Sequence, residues 1–149
     1  MARIAQETTD NLNGLIAVLH DGVELHETAI NEITSTDVKQ VSREMIDERR
    51  KTIEELKPLV VKGGREPTTR GTFLGDARAM LAKVKALIGD RDAAYAGELA
   101  RMEEITVSTI DTCIEDTADK QVSDRLAERK KPFDKAAEKL HELSGGAKA

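Results

Sequence analysis

Apolar residues recur every three or four positions over four long stretches of the chain, which is the spacing of helices that bury one face. These stretches run from about residue 10 to 34, 37 to 63, 91 to 116 and 118 to 143. None of them shows the strict alternation of a half-buried strand. The pattern therefore predicts an all-α fold.

The predicted helix ends carry residues that start or stop helices. N-caps are expected within residues 8–10 and 35–37, at Asp90 and at Thr117. Gly63-Gly64 is expected to end the second helix in the left-handed conformation that glycine tolerates. Pro58 and Pro132 fall inside predicted helices, where a missing N–H and a ring clash should bend the backbone.

The connections between the helices predict the topology. Because the links within the first and last pairs are short, each pair should form an antiparallel hairpin. A loop and a short helix over residues 73–88 separate the two hairpins. At about 1.5 Å per residue this helix spans roughly 22 Å, enough to run along the bundle. We predict a single domain over residues 1–149, with its core at 8–144: a ferritin-like up-down four-helix bundle with one short extra helix between the hairpins.

Composition narrows the classes of function. Hydrophobic residues make up 39 % of the chain and charged residues 34 %, as in a soluble bundle with charged outer faces. The net charge of −5 argues against nucleic-acid binding. No apolar run of about 18 residues could cross a membrane, and residues 1–7 lack the apolar core of a signal peptide. The single cysteine, Cys113, excludes an internal disulfide and is expected in the core. We therefore expect a cytoplasmic protein.

Several motifs resemble those of a bacterial family. The similar segments are Leu12-Asn13-Gly14-Leu15-Ile16, Asp21-Gly22, the Arg49 … Glu55-Leu56 spacing, Gly63-Gly64, Glu66-Pro67, Phe73-Leu74-Gly75 and Glu103. Over residues 9–143 the chain resembles a family of ferritin-like four-helix-bundle proteins of uncharacterised function. It departs from that family at His26 and Ile110, where aromatic residues are expected, and at Phe133, where a histidine is expected. The resemblance implies the fold and very little chemistry.

Arg49 continues the apolar stripe of the second helix. Because a guanidinium keeps its proton, a buried one needs an acidic partner. If the second and fourth segments run parallel, Arg49 and Glu103 lie at similar heights in the bundle. We therefore predict an interior Arg49–Glu103 ion pair, with Thr52, Thr106 and Thr109 as nearby hydrogen-bonding groups. The alternative is that the Arg49 side chain extends along the apolar surface to reach water.

His26 lies well inside the first apolar stripe, between Val23 and Ile30. The simplest interpretation is a neutral core histidine whose ring nitrogens bond neighbouring side chains. A metal-ligand or proton-carrier role is the alternative.

A complete di-metal centre is not expected. Di-metal carboxylate bundles place a Glu on each of two helices and Glu-x-x-His on each of the other two. This chain has one such motif, Glu138 to His141, and Glu138 points away from the interior stripe. The remaining candidate ligands for iron or manganese are Glu48, Glu98, Glu103 and His26.

The sequence favours a non-catalytic bundle without a cofactor, which self-associates as a dimer or binds a protein partner. Leu25 and Val107 lie off their apolar stripes and are faint indications of an interface. The family resemblance and fold analogy alone imply a role in stress physiology. The alternative is a metal-binding carboxylate bundle or an oxidoreductase.

Overall fold

The computed structural model describes residues 6–71, 79, 82–84 and 90–145. These residues form four long helices and no strand, which confirms the all-α prediction for this part of the chain. The helices are α1 (Gln6–Ile30), α2 (Thr36–Lys62), α3 (Arg91–Asp116) and α4 (Lys120–Leu143). Ala79 and residues 82–84 are helical. The rest of the short helix predicted over 73–88 lies outside the described residues, as do residues 146–149 of the predicted tail.

Most of the predicted helix ends are correct, and three of them need correction. Ser35 and Asp90 cap α2 and α3 as predicted. Residues 8–10 do not cap α1, because the helix already includes Gln6 and continues through them. Asp119 rather than Thr117 caps α4, since its carboxylate accepts from the N–H groups of the first helical turn. At the end of α2, Gly64 adopts the left-handed conformation with φ of 88°, while Gly63 does not.

Contacts between the helices define a four-cornered arrangement. α1 packs against α2 and α3, and α4 packs against the same two helices. Asn11 bonds Asp116 and Thr34 bonds Asp92, so α1 and α3 run antiparallel. α1 and α2 are also antiparallel, because His26 near the end of α1 bonds Ser42 near the start of α2, and Asp10 near the start of α1 bonds Arg65 just after α2. α2 and α3 are therefore parallel and occupy opposite corners.

The interior between these helices is filled almost entirely by aliphatic side chains, with Tyr95 and Phe133 as buried aromatic residues. Leu25 is completely buried, and Val107 is half-buried against the core. The indication of an interface is therefore wrong for Leu25, because the apolar face of α1 is wider than its central stripe, and it stays a prediction for Val107. Among the described helices, none has the length and apolar character needed to span a membrane.

Candidate functional site

Five polar side chains meet in the middle of the aliphatic interior. They come from three helices and are completely buried. We call them the central polar cluster: His26 on α1, Ser42 and Arg49 on α2, and Glu103 and Thr106 on α3. Because burying polar groups costs free energy unless they are hydrogen-bonded, the partners of each member decide what the cluster can do.

The Arg49 guanidinium connects opposite corners of the bundle. Its Nη2 donates to Glu103 Oε1 at 2.9 Å and to Thr106 Oγ1 at 2.8 Å. The Thr106 hydroxyl donates in turn to the Met102 carbonyl, which leaves its oxygen free to accept from Arg49. The Phe133 ring of α4 covers the guanidinium, with its centroid 5.4 Å from Cζ. The predicted Arg49–Glu103 pair therefore forms in the interior, and Arg49 does not extend to water.

The same guanidinium also bonds the backbone of α1. Nη1 lies 3.2 Å from the Val18 carbonyl oxygen and 3.3 Å from that of Leu19. The approach is open because Gly22 has no side chain, and a Cβ at that position would overlap the guanidinium. The lack of a side chain at Gly22 thus leaves room on α1 for the Arg49 side chain of α2. Through these contacts Arg49 touches all of the other three long helices.

Glu103 bonds a different partner with each of its carboxylate oxygens. Oε1 accepts from Arg49, and Oε2 lies 2.6 Å from His26 Nε2. Burial alone would raise the pKa of this carboxyl group. The Arg49 charge and the hydrogen bond from His26 outweigh burial and hold the pKa below its ordinary value. Glu103 is therefore ionised at neutral pH.

The bonding of Glu103 assigns the proton on His26. An ionised carboxylate only accepts, so His26 Nε2 carries the hydrogen and donates. Nδ1 lies 2.8 Å from Ser42 Oγ and accepts from that hydroxyl in the neutral ring. Arg49 and Glu103 contribute one positive and one negative charge to the cluster. This balance suits a site without water contact.

Ser42, His26 and Glu103 follow one another in the order of a hydrolytic triad, but they are not arranged to work as one. All three are completely buried, so no substrate reaches the Ser42 hydroxyl. In a triad the carboxylate stabilises the imidazolium that forms during catalysis. Here the charge of Glu103 is already balanced by Arg49 at 2.9 Å. The arrangement is thus suited to holding helices together rather than to moving protons.

Two of the predicted cluster residues do not join it. Thr52 is completely buried, but its hydroxyl donates to the Glu48 carbonyl in its own helix. Thr109 is not in the interior, and its hydroxyl donates to the Ile105 carbonyl. The prediction for Thr109 is wrong because Ile110 fills the interior at that level of α3.

The candidate metal ligands do not converge. His26 and Glu103 are in contact, whereas Glu48 is half-buried and pairs with Arg129 of α4 at 3.4 Å. Glu98 is also half-buried, and its Oε2 has no hydrogen-bond partner among the described residues. No group of three or more His, Cys, Asp or Glu side chains in the described part of the chain is placed to hold a metal ion.

The two remaining candidates lie away from the cluster. Glu138 and His141 are both exposed near the end of α4. Cys113 is buried, as predicted, and its Sγ lies 3.4 Å from the Asn11 carbonyl oxygen. Burial, aided by the negative charge of Asp116, raises the pKa of this thiol to about 12, which suits a core residue rather than a nucleophile.

Sequence reasoning missed three residues that complete the cluster. They are Ser42, Gly22 and Phe133. Ser42 lies one position after Val41 on the apolar stripe of α2, and Gly22 lies among buried residues of α1. A small residue at such a position is a signal that a neighbouring helix has a large side chain there. The signal does not say which one.

The model of one protein family matches residues 7–116, about three quarters of the chain. It is described as a domain of unknown function, DUF2383. The chain belongs to the DUF2383 family. No curated protein matches it significantly, and no solved structure does either.

The DUF2383 match begins at Glu7 in the first turn of α1 and ends at Asp116, the last residue of α3. All five members of the central polar cluster lie inside it, as does Gly22. Phe133, which covers Arg49 from α4, lies beyond it. The part of the chain that defines the family is therefore the part that builds the ion pair.

Proposed function

We propose that this DUF2383 protein is a non-catalytic, ferritin-like helical bundle that acts through its outer surface, by self-association or by binding a protein partner. Its interior holds the helices in register, and the charged outer faces carry the function. The observation that supports this proposal is the completely buried Arg49–Glu103 pair in the middle of the bundle.

The ferritin-like part of the proposal is supported by the arrangement of the helices. α2 and α3 are parallel and at opposite corners, so the chain between them has to return along the length of the bundle. Ferritin-like folds have one long connection of this kind between two antiparallel hairpins. A fold does not establish a function, so we argue against catalysis from the contacts within the central polar cluster.

The non-catalytic part is supported by charge. In di-metal bundles, inward-pointing carboxylates are balanced by the bound cations. Here the single interior carboxylate of the cluster is balanced by a guanidinium, and both of its oxygens already accept hydrogen bonds. A metal ion bound to Glu103 would lie close to the Arg49 charge and would have to displace the bond from His26.

Elemental analysis of protein purified without chelator tests the proposal against the metal-binding alternative. We expect the protein, grown with added iron and manganese, to carry far less than one ion of either metal per chain. His26→Ala should leave that value unchanged. His141→Ala is the matched control, because this histidine is exposed at the end of α4. Stoichiometric iron or manganese that is lost in His26→Ala, and kept in His141→Ala, would overturn the proposal.

A further inference from the structure

A groove of about 650 Å³ runs along the seam between α2 and α4. Its floor is apolar and consists of Val41 and Met45 on one side and Pro132 and Ala136 on the other. From Asp37 to Glu48 the groove extends over twelve residues of α2, roughly 16 Å at about 1.5 Å per step.

The two rims of the groove carry opposite charges. Asp37 and Glu44 are exposed on the α2 rim, and Lys135 and Lys139 are exposed on the α4 rim. In the described part of the chain, none of these four forms an ion pair with another residue. An acidic edge and a basic edge therefore flank the same apolar floor without neutralising each other.

The other half of the same seam shows what happens when such charges meet. There, Arg129 of α4 bonds Glu55 of α2 at 2.6 Å and Glu48 at 3.4 Å, and Arg125 lies 3.9 Å from Glu55. α2 is again acidic and α4 basic, but the ion pairs close within the chain. In the groove half, the same pattern is left open toward solvent.

A second copy of the chain satisfies this pattern. A two-fold axis parallel to the helices places α2 of each copy over α4 of the other at the same height. Each acidic rim then faces a basic rim, and the two apolar floors face each other. A two-fold axis across the helices would instead place acid over acid and base over base. Such like-charge contacts cost several kcal/mol.

The two-helix face as a whole, of which the groove occupies roughly 16 Å of about 36 Å, is close in size to a stable interface. α2 has 27 residues and α4 has 24, so the two helices side by side present roughly 36 Å by 20 Å, or about 700 Å². A standard interface buries about 800 Å² on each partner.

We propose that the groove face of α2 and α4 is the surface on which two copies of this chain pair about a two-fold axis parallel to the helices. The inference rests on the proposed self-association and names its surface. The rim residues of one copy, Asp37 and Glu44, contact Lys135 and Lys139 of the other. Pro132, the half-buried member of the floor, loses its remaining contact with water, whereas Val41, Met45 and Ala136 are already buried within each chain.

Complementary charge reversals test the pairing. Variant one is Lys135→Glu with Lys139→Glu, which makes both rims acidic. Variant two is Asp37→Lys with Glu44→Lys, which makes both rims basic. By sedimentation equilibrium, wild type should be a dimer whose dissociation constant rises with salt. Each variant alone should dissociate at least about tenfold more readily, because like charges then face each other. An equimolar mixture of the two should form a heterodimer.

Two controls separate the surface from general effects of charge. Combining all four substitutions reverses both rims and should restore a homodimer. Arg43→Glu with Arg101→Glu changes the net charge by the same amount as variant one, at exposed positions that do not line the groove. It should leave the dissociation constant within about twofold of wild type. Circular dichroism confirms that each variant is folded.

The outcomes distinguish this surface from the function it rests on. A dimer that neither rim variant weakens would overturn the groove face and leave self-association standing. A wild-type monomer at 100 μM, about the range of weak association, would overturn the pairing itself and leave partner binding as the proposed function. The metal analysis tests the non-catalytic assignment independently of both.

Discussion

The guanidinium of Arg49 and the carboxylate of Glu103 form the most consequential contact at the scale of single residues. Both side chains are completely buried and lie 2.9 Å apart. A buried ion pair contributes little net stability compared with well-packed apolar residues, because both charges lose their hydration. Removing only one partner is different, since the other is left as an uncompensated charge.

Arg49→Met and Glu103→Gln should therefore each destabilise the protein by about 3 to 5 kcal/mol. The double variant should lose less than the sum of the two, with a coupling energy of about 1 to 3 kcal/mol, because no unpaired charge remains. Urea unfolding at pH 7, followed by circular dichroism, measures all three values. Simple additivity of the single effects would contradict a direct interaction.

Gly22 and Gly14 provide a matched pair of glycines in α1. A Cβ at Gly22 would overlap the Arg49 guanidinium, whereas a Cβ at exposed Gly14 would meet nothing within 4 Å. We expect Gly22→Ala to destabilise the protein by about 1 to 3 kcal/mol, the usual cost of overpacking. Gly14→Ala should stabilise it by roughly 0.5 to 1 kcal/mol through helix propensity. Thermal unfolding of both variants checks the difference, and equal effects would show that Gly22 provides no space for Arg49.

At the scale of elements, the turn between α1 and α2 is attached to the start of α3. The Asp92 carboxylate accepts from the Thr34 hydroxyl at 2.5 Å and from the N–H groups of Thr34 and Ser35, both at 2.9 Å. Burial alone would raise the pKa of Asp92, but these hydrogen bonds outweigh burial and lower it. One side chain thus joins the first hairpin to the second.

Asp92→Ala should cost about 1 to 2 kcal/mol, since three hydrogen bonds are lost at a partly hydrated site. The loss should be local, so amide hydrogen exchange at Thr34 and Ser35 should accelerate more than in the helix centres. Asp47→Ala, at an exposed position of α2, should change stability by no more than about 0.5 kcal/mol. Unchanged exchange at Thr34 and Ser35 would argue against this attachment.

At the scale of the whole molecule, the cluster makes the fold sensitive to acid. The pKa of Glu103 is lowered in the folded state from its ordinary value of 4.5. The ionised carboxylate therefore adds stability that is complete above about pH 4.5 and is lost as the pH falls through the folded-state pKa. Protonation would also leave the Arg49 guanidinium without its counter-charge in the bundle centre.

The free energy of unfolding of wild type should therefore fall below about pH 4.5, and the gap between wild type and Glu103→Gln should narrow there. Urea titrations between pH 3 and 7 measure this gap. Glu104→Gln, at the exposed neighbouring position, is the control and should follow wild type. A constant gap across the whole range would mean that Glu103 does not titrate as part of the cluster.

The pattern of residues along the chain is enough to predict the helices and one contact between them. The spacing of apolar residues identifies all four long helices, because a helix with one buried face repeats its apolar residues every three or four positions, whichever element it packs against. Counting residues from the helix starts also brought Arg49 level with Glu103, since the rise per residue of a helix is fixed. The wrong cap at residues 8–10 shows the limit of local signals, because Thr8 and Thr9 are buried residues within α1 instead.

The surroundings of that contact depend on how the helices pack together. Gly22, Ser42 and Phe133 reach the cluster from positions separated by up to 111 residues, and no local pattern specifies which of them meet. The prediction for Thr109 was wrong because Ile110, the next residue of α3, fills the interior at that level. The groove on α2 and α4 likewise exists only after packing, because its two rims belong to separate hairpins. Periodicity records that a face is buried, whereas the identity of its partner depends on how the four helices are placed together.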